Sequence, residues 1–281
     1  MCPYDFISSD ISTYKKYTHT YTFNEEVVHY DTWLSGEIRQ VKIVLFLGTV
    51  QVGKIPKWIV KKCPQNTLVV QGAPHWLAKD DGSDIPDFMY HFTKHTLDNI
   101  SGELNHKIVV IADSQAAPAI IKLLGSKLYS NSASKIILIQ PLGLNSKSFT
   151  GDLGDRIKLF KTRVLRNFLY QLTSLISDRR LVYNHRQLYK IVNRNKVKSD
   201  AQYNAGLAHS ATNDLKNLFS VNKNLVIICG GKDKIFPPFE IKSELQKAQV
   251  EIPLIIVPNI PHSPLATKFG MKLLNKALEQ L

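Results

Sequence analysis

Cysteine is scarce in this 281-residue chain: Cys2, Cys63 and Cys229 are too few and too far apart for a disulfide framework, and the spacing of a zinc site is absent. The expectation is reduced thiols in a cytoplasmic protein. Nowhere do eighteen apolar residues follow one another, and residues 1–10 carry acids and polar groups where a signal peptide needs basic residues and then an apolar run. Neither a membrane span nor export is therefore expected. Acidic residues are also thin in one region, since residues 145–222 contain no Glu and only 5 Asp against 14 Lys+Arg.

Hydrophobic residues make up 44% of the chain and charged residues 21%, the balance of a globular protein with an apolar core. A chain of this length buries roughly three quarters of the surface its unfolded form exposes, so it needs no covalent staples. The net charge is +13. Of this, +9 lies in residues 145–222, leaving only +4 for the remainder, so the basicity belongs to one middle segment.

Tyr17, His19, Tyr21 and Phe23 alternate with threonines, a period-two pattern that predicts a strand; residues 24–26 turn it and residues 27–33 supply an antiparallel partner. Continuous apolar runs follow at 41–47, 67–71, 107–112, 135–140, 224–229 and 251–257, as expected of strands buried on both faces. Helical patterns lie between them. The first covers 85–100, with Pro86 in its first turn and Gly102 at its end; others cover 115–129, 238–248 and 264–281. The alternation predicts an α/β fold, a mostly parallel eight-stranded sheet opened by an antiparallel hairpin. Residues 145–222 break it with helical patterns alone, including Ile157, Phe160, Val164, Phe168, Leu172 and Ile176. Leu207, Leu215, Leu218 and Phe219 mark a last helix begun near Asp200. The expected organisation is a core domain of residues 1–144 and 223–281 with a basic helical cap, or lid, at 145–222. Phe160, Phe168, Leu169 and Leu172 are expected to pack inward.

Three loops carry chemistry. The strand at 108–111 runs into Ala112-Asp113-Ser114-Gln115-Ala116 and then a helix, a sharp turn with serine at its apex and small residues two places to either side. Asp233 lies in the loop 230–237, just beyond a strand's carboxyl end, where open α/β sheets assemble their sites. His262 follows the last strand, with Ser263 expected as a helix cap and Pro264 as the first helical residue. A serine hydroxyl is a poor nucleophile at neutral pH without an imidazole to take its proton, and a carboxylate fixes the imidazole's tautomer. Ser, Asp and His in that order, each after a strand, supply those three groups.

With these residues in view, the chain resembles the α/β-hydrolase fold superfamily over essentially its whole length. The resemblance rests on the hairpin, on Leu45-Phe46-Leu47-Gly48-Thr49 at the strand-ending oxyanion motif, on the turn around Ser114, on the cap after Pro141, and on Asp233 and His262. It implies Ser114 as nucleophile, His262 as general base and then acid, Asp233 as the orienting acid, and the main-chain N–H groups of Thr49 and Gln115 as the oxyanion hole. The implied activity is that of a serine esterase without a cofactor. Leu47 stands where many members have His, Gln71 where an Asp often ends the strand, and Ala112 and Ala116 replace the usual glycines of the turn.

Other motifs lead elsewhere or nowhere. His91 and His95 share one face of a helix, but no Glu sits at position 92 and no third ligand is evident, so no metal is expected. Residues 48–54 lack the spacing and the Ser/Thr of a phosphate-binding loop, because Ile55 follows Lys54. Residues 72–76 are expected to form an active-site loop in which Trp76 could line an acyl pocket. Between Arg156 and Lys198 there are 12 Lys+Arg and one acid, Asp178. A solvated surface is the plain reading of such a run. An acidic acyl carrier protein is the partner that would best exploit it, recruited by Arg163, Arg166, Arg179 and Arg180. In that respect the chain is similar in general plan to the biotin-pathway esterases that cleave pimeloyl-carrier-protein methyl ester. Nucleic acid is not expected. A lipase-like esterase at anionic membrane surfaces and an inactive hydrolase-like binding module are the alternatives.

Overall fold

The computed structural model describes residues 14–48, 57–73, 85–101, 106–129, 131–144, 153–175, 211–265 and 267–281. Strands β1 (Tyr14–Phe23) and β2 (Glu26–Ser35) pair antiparallel in unbroken register from Tyr14 opposite Ser35 to Phe23 opposite Glu26. Asn24 and Glu25 close the hairpin with φ of 49° and 66°, the left-handed turn whose twist suits two right-twisted strands. The apolar runs become β3 (Ile43–Phe46), β4 (Thr67–Val70), β5 (Ile108–Asp113), β6 (Ala133–Ile139), β7 (Leu225–Gly230) and β8 (Leu254–Val257). They form one eight-stranded sheet in the order β1-β2-β4-β3-β5-β6-β7-β8, with every pair from β4 onward parallel and β2 antiparallel to β4. The expected architecture is the observed one.

Continuous apolar strands need cover on both faces, and helices supply it. Helices α1 (Lys57–Lys62) and α7 (Lys268–Leu278) close one side, burying Ile59, Val60, Leu273 and Leu274 against Leu45, Ile111, Ile137 and Ile228. On the other side lie α2 (Ile85–Ser101), α3 (Ala116–Leu124), α5 (Thr212–Val221) and α6 (Pro238–Ala248), with Phe88, Phe92, Ile120, Leu215, Leu218 and Ile241 in the main core. Each large apolar side chain so buried stabilises the fold by roughly 1.5–3 kcal/mol. Helix α5 falls within the segment expected as a cap, yet its buried face belongs to this main core. It runs so close to α3 that a Cβ on Gly125 would lie 3.2 Å from the Leu218 nitrogen.

Helix α4 (Leu153–Leu175) crosses over the loop after β7, where Leu159 and Val164 pack on Leu142, Ile235 and Phe236. Its inward face differs from the expectation: Leu169 is 53% exposed and Phe168 only partly buried, while the amides Asn167 and Gln171 are buried; the side chains of Phe160 and Leu172 lie outside the described residues. No helix among the described residues is long and apolar enough to cross a membrane.

Candidate active site

The turn after β5 holds Ser114 at φ 51°, a left-handed conformation that a non-glycine residue adopts only when its surroundings enforce it. The enforcement is visible. The Ser114 N–H donates to the Ile139 carbonyl at 2.8 Å, and its carbonyl accepts from Ala117 and Leu142 N–H groups. Ala112 and Ala116 are both buried, which explains the small side chains flanking the turn. Gly48 at the end of β3 presses on the same turn, since a Cβ there would lie 3.0 Å from Asp113 Oδ2 and 3.2 Å from Ser114 Cβ. Ser114 itself remains partly exposed, and Gln115, as N-cap of α3, stands where main-chain N–H groups have no partner within the helix.

Asp233 and His262 meet directly, with Nδ1 of the imidazole 2.8 Å from Asp233 Oδ2. The other carboxylate oxygen accepts the N–H groups of Ile235 and Phe236, both at 2.8 Å, so the acid is locked by its own loop. The Phe236 ring stands edge-on to the imidazole at 5.0 Å. With Nδ1–H donated to Asp233, Nε2 is left as the acceptor. Ser114, Asp233 and His262 follow the carboxyl ends of β5, β7 and β8 at one edge of the sheet. No hydrogen bond links Ser114 Oγ to the imidazole in this conformation; such bonds commonly tighten only once substrate is bound.

A second carboxylate attends the histidine. Asp113 is buried and accepts the Gly48 N–H at 3.3 Å. Burial pushes its carboxyl up to about 7, against the opposing pull of the His262 charge and of the Gly48 and Gln140 dipoles. For His262, burial disfavours the charged ring, but the charge and hydrogen bond of Asp233, with Asp113 adding to them, outweigh it and hold the imidazole pKa above its ordinary value. Gln140, at φ 48°, ties the edge together: its Oε1 accepts the Ser263 N–H and its Nε2 donates to the Ser263 carbonyl, both at 3.0 Å.

That grip corrects the expected start of the last helix. Ser263 is fully buried between Gln140 and Gln171, and α7 begins at Lys268 with Thr267 as its cap, the Thr267 hydroxyl accepting the Gly270 N–H at 3.0 Å. Arg163 is also corrected. Its guanidinium makes a two-pronged bond to Glu240 at 2.8 and 3.0 Å and donates to the Ile235 carbonyl, leaving the side chain 14% exposed and committed to the fold rather than to a partner. Arg166 is exposed, as are Lys158 and Lys161 on the same helix. Thr49, Trp76, Arg179 and Arg180 lie outside the described residues. Leu47 and Gln71 are buried, the latter donating its N–H to the Asp31 carbonyl. His95 stacks on Tyr21, and among the described residues no cluster of His, Cys, Asp or Glu could hold a metal ion.

Four residues around the site escape a reading of local sequence: Asp113, Gln140, Asn167 and Gln171. Asp113 stands inside the recognised motif, and its type, an acid in an otherwise apolar strand end, is the one local signal available. The three amides reach residues 262–263 across 91 to 123 positions of sequence, which no short pattern records.

No protein-family model matches the sequence, and no curated protein matches it. Solved structures do. The chain is similar to MGS-M2, an alpha/beta hydrolase enzyme from a Medee basin deep-sea metagenome library, at 14% identity over 92% of this chain and 95% of that one, with a TM-score of 0.57. A putative lipase from Acinetobacter baumannii AYE matches at 10% identity over 94% and 92%, TM-score 0.59. A thermophilic esterase from Thermogutta terrifontis matches at 13% identity over 95% and 97%, TM-score 0.58. At such identities, the shared property is the fold.

Proposed function

We propose that this chain, which has the α/β-hydrolase fold, hydrolyses carboxylic esters with Ser114 as nucleophile, His262 as base and Asp233 as the acid that orients it. The observation that carries the reading is the Asp233–His262 pair standing on the same sheet edge as a serine held at φ 51°. Nε2 takes the Ser114 proton as Oγ attacks the ester carbonyl, and the developing oxyanion is met by main-chain N–H groups, that of Gln115 among them. The tetrahedral intermediate collapses to an acyl-serine while His262 returns the proton to the departing alcohol. Water, deprotonated by the same imidazole, then releases the acid. A fluorophosphonate probe tests this: Ser114 displaces fluoride from phosphorus and becomes labelled in the wild type, while Ser114→Ala stays unlabelled. A folded wild type that takes no label would overturn the reading in favour of a binding module.

The pH dependence follows from the raised imidazole. The base must be neutral, so kcat/KM is expected to rise with pH through an apparent pKa above the ordinary 6.5 of histidine. Asp113, its carboxyl pushed up to about 7 by burial, adds its charge to the field at the imidazole, so the limb is shaped by both groups. Asp113→Asn removes one negative charge that favours the imidazolium and is expected to move the limb to lower pH. A pH–rate profile of both proteins decides; a limb that stays in place would exclude Asp113 from the site's electrostatics.

The substrate class is read from charge. The exposed Lys158, Lys161 and Arg166 on α4, with the further basic residues up to Lys198, suit an ester carried on an acidic partner such as an acyl carrier protein. Reversing Arg166, Arg179 and Arg180 to Glu is expected to lower kcat/KM for a carrier-bound ester about tenfold and to flatten its salt dependence, because exposed charges steer over a Debye length of only about 8 Å. A small neutral ester should be turned over within a few-fold of the wild-type rate. Equal turnover of the carrier-bound ester by both proteins would return the basic face to a solvated surface.

A further inference from the structure

The loop that carries His262 has little support from the sheet. Strand β8 is four residues long, lies at the sheet edge and is only partly buried, and beyond it the main chain is held by the Lys232 N–H on the Ile260 carbonyl and by Gln140 on Ser263. The main-chain groups of His262 are instead held by α4. Asn167 Oδ1 accepts the His262 N–H at 3.0 Å, and its Nδ2 donates to the His262 carbonyl at 2.8 Å, so one amide side chain pairs with one residue as a neighbouring strand would. The same Oδ1 takes the N–H of Lys234, next to Asp233, at 3.5 Å. One turn on, Gln171 Nε2 donates to the His262 carbonyl at 2.6 Å and to Ser263 Oγ at 3.0 Å. Asn167 is 4% exposed and Gln171 2%, so these bonds form away from competing water.

We propose that Asn167 and Gln171 are positioning residues for His262, making α4 a working wall of the active site that sets the distance between the imidazole and the acid loop. The proposal rests on the reading of His262 as the base. Asn167 touches both loops of the Asp233–His262 pair, and both amides reach His262 through its main chain. Loss of Asn167 takes the acceptor from the His262 N–H, loss of Gln171 takes a donor from Ser263 Oγ, and loss of either leaves the His262 carbonyl with one donor in place of two; a shift of about 1 Å at the base is enough to lower turnover roughly 100-fold.

The test uses Asn167→Leu, close in volume but unable to hydrogen bond, with Gln171→Met as a second variant should the first fail to fold, and Leu165→Ala on the exposed face of α4 as control. With a small ester, kcat is expected to fall roughly 10- to 100-fold with KM within about threefold, while Leu165→Ala matches the wild type. Imidazole titration by NMR on the same proteins is expected to show the His262 pKa falling toward the ordinary value as its bond to Asp233 loosens. A drop in Tm with kcat and the His262 titration both unchanged would overturn the proposal, because a merely structural amide moves Tm alone. The titration also separates the two readings. An inactive, unlabelled wild type defeats the esterase reading, whereas an unmoved His262 titration in an active enzyme's variants defeats only the role of α4.

Discussion

Ser114→Ala is expected to lower kcat for a carboxylic ester by about 10⁴-fold or more with the fold intact, and His262→Ala by a similar factor. Asp233→Asn should lose about 10³- to 10⁴-fold for a different reason. Asn keeps an oxygen for the Ile235 and Phe236 N–H groups, but its NH₂ would face Nδ1 and force the ring proton onto Nε2, the atom that must accept from serine. Ser114→Gly separates chemistry from strain. At φ 51° glycine is relaxed where serine is not, so this variant should be as inactive as Ser114→Ala yet more stable than the wild type by about 1 kcal/mol in denaturant titrations. Near-wild-type activity in Asp233→Asn would mean that the orienting acid has been misassigned, and Asp113 would be the next carboxylate to test.

Gly270→Ala is expected to be among the most damaging single-methyl additions in the molecule. A Cβ at that position would lie 2.0 Å from the Pro264 carbonyl oxygen and 2.6 Å from the Leu265 Cα, both main-chain atoms that cannot rotate away. Relief requires α7 to move off the segment it follows, which breaks the Thr267 cap and disturbs Leu273 and Leu274 in the core. The loss should be about 3 kcal/mol or more, roughly 10 °C in Tm for a chain of this size. Because Pro264 and Leu265 follow Ser263 directly, the molecules that remain folded should also have a displaced His262 and reduced kcat. Gly231→Ala is the contrast. Its Cβ would meet the Cγ2 methyl of Ile256, a residue 48% exposed and able to yield, at 3.2 Å, and the Val257 carbonyl oxygen at 3.4 Å, an ordinary contact distance, and should change Tm by no more than a degree or two. Equal stability of the two variants would show that the chain between Pro264 and Gly270 yields more easily than its packing implies.

The sheet was readable from sequence because its signal is local: runs such as 135–140 and 224–229 are apolar on both faces, and turns such as Asn24-Glu25 announce themselves. The ends of elements are less legible. Residues 251–257 look continuous, but β8 begins only at Leu254, after Pro253, which has no N–H to give a ladder. Ser263-Pro264 has the form of a helix start, and a glutamine 123 residues away decides otherwise by bonding the Ser263 main chain on both sides. The same holds for charge. Arg163 counts as one more cation in a basic run until Glu240 and the Ile235 carbonyl, more than seventy residues downstream, claim it. Leu169 likewise looks like a core residue, but the helix turns its amides inward because the His262 loop offers groups to bond and an apolar side chain there would leave them bare.

The stripe of Arg163, Asn167 and Gln171 on α4 also sets the terms for grafting. An insertion taken from another protein of this fold brings its own apolar contacts and its own surface, and could reshape the substrate chamber without touching the sheet. It would fail as a graft unless its first helix presented an amide or equivalent pair one turn apart at the height of His262, and a cation one turn earlier for Glu240. Three positions of α4 are thus held to the scaffold, while an outward one such as Leu165 is free to vary, so new specificity in a chimera is best sought by keeping that stripe and exchanging what surrounds it.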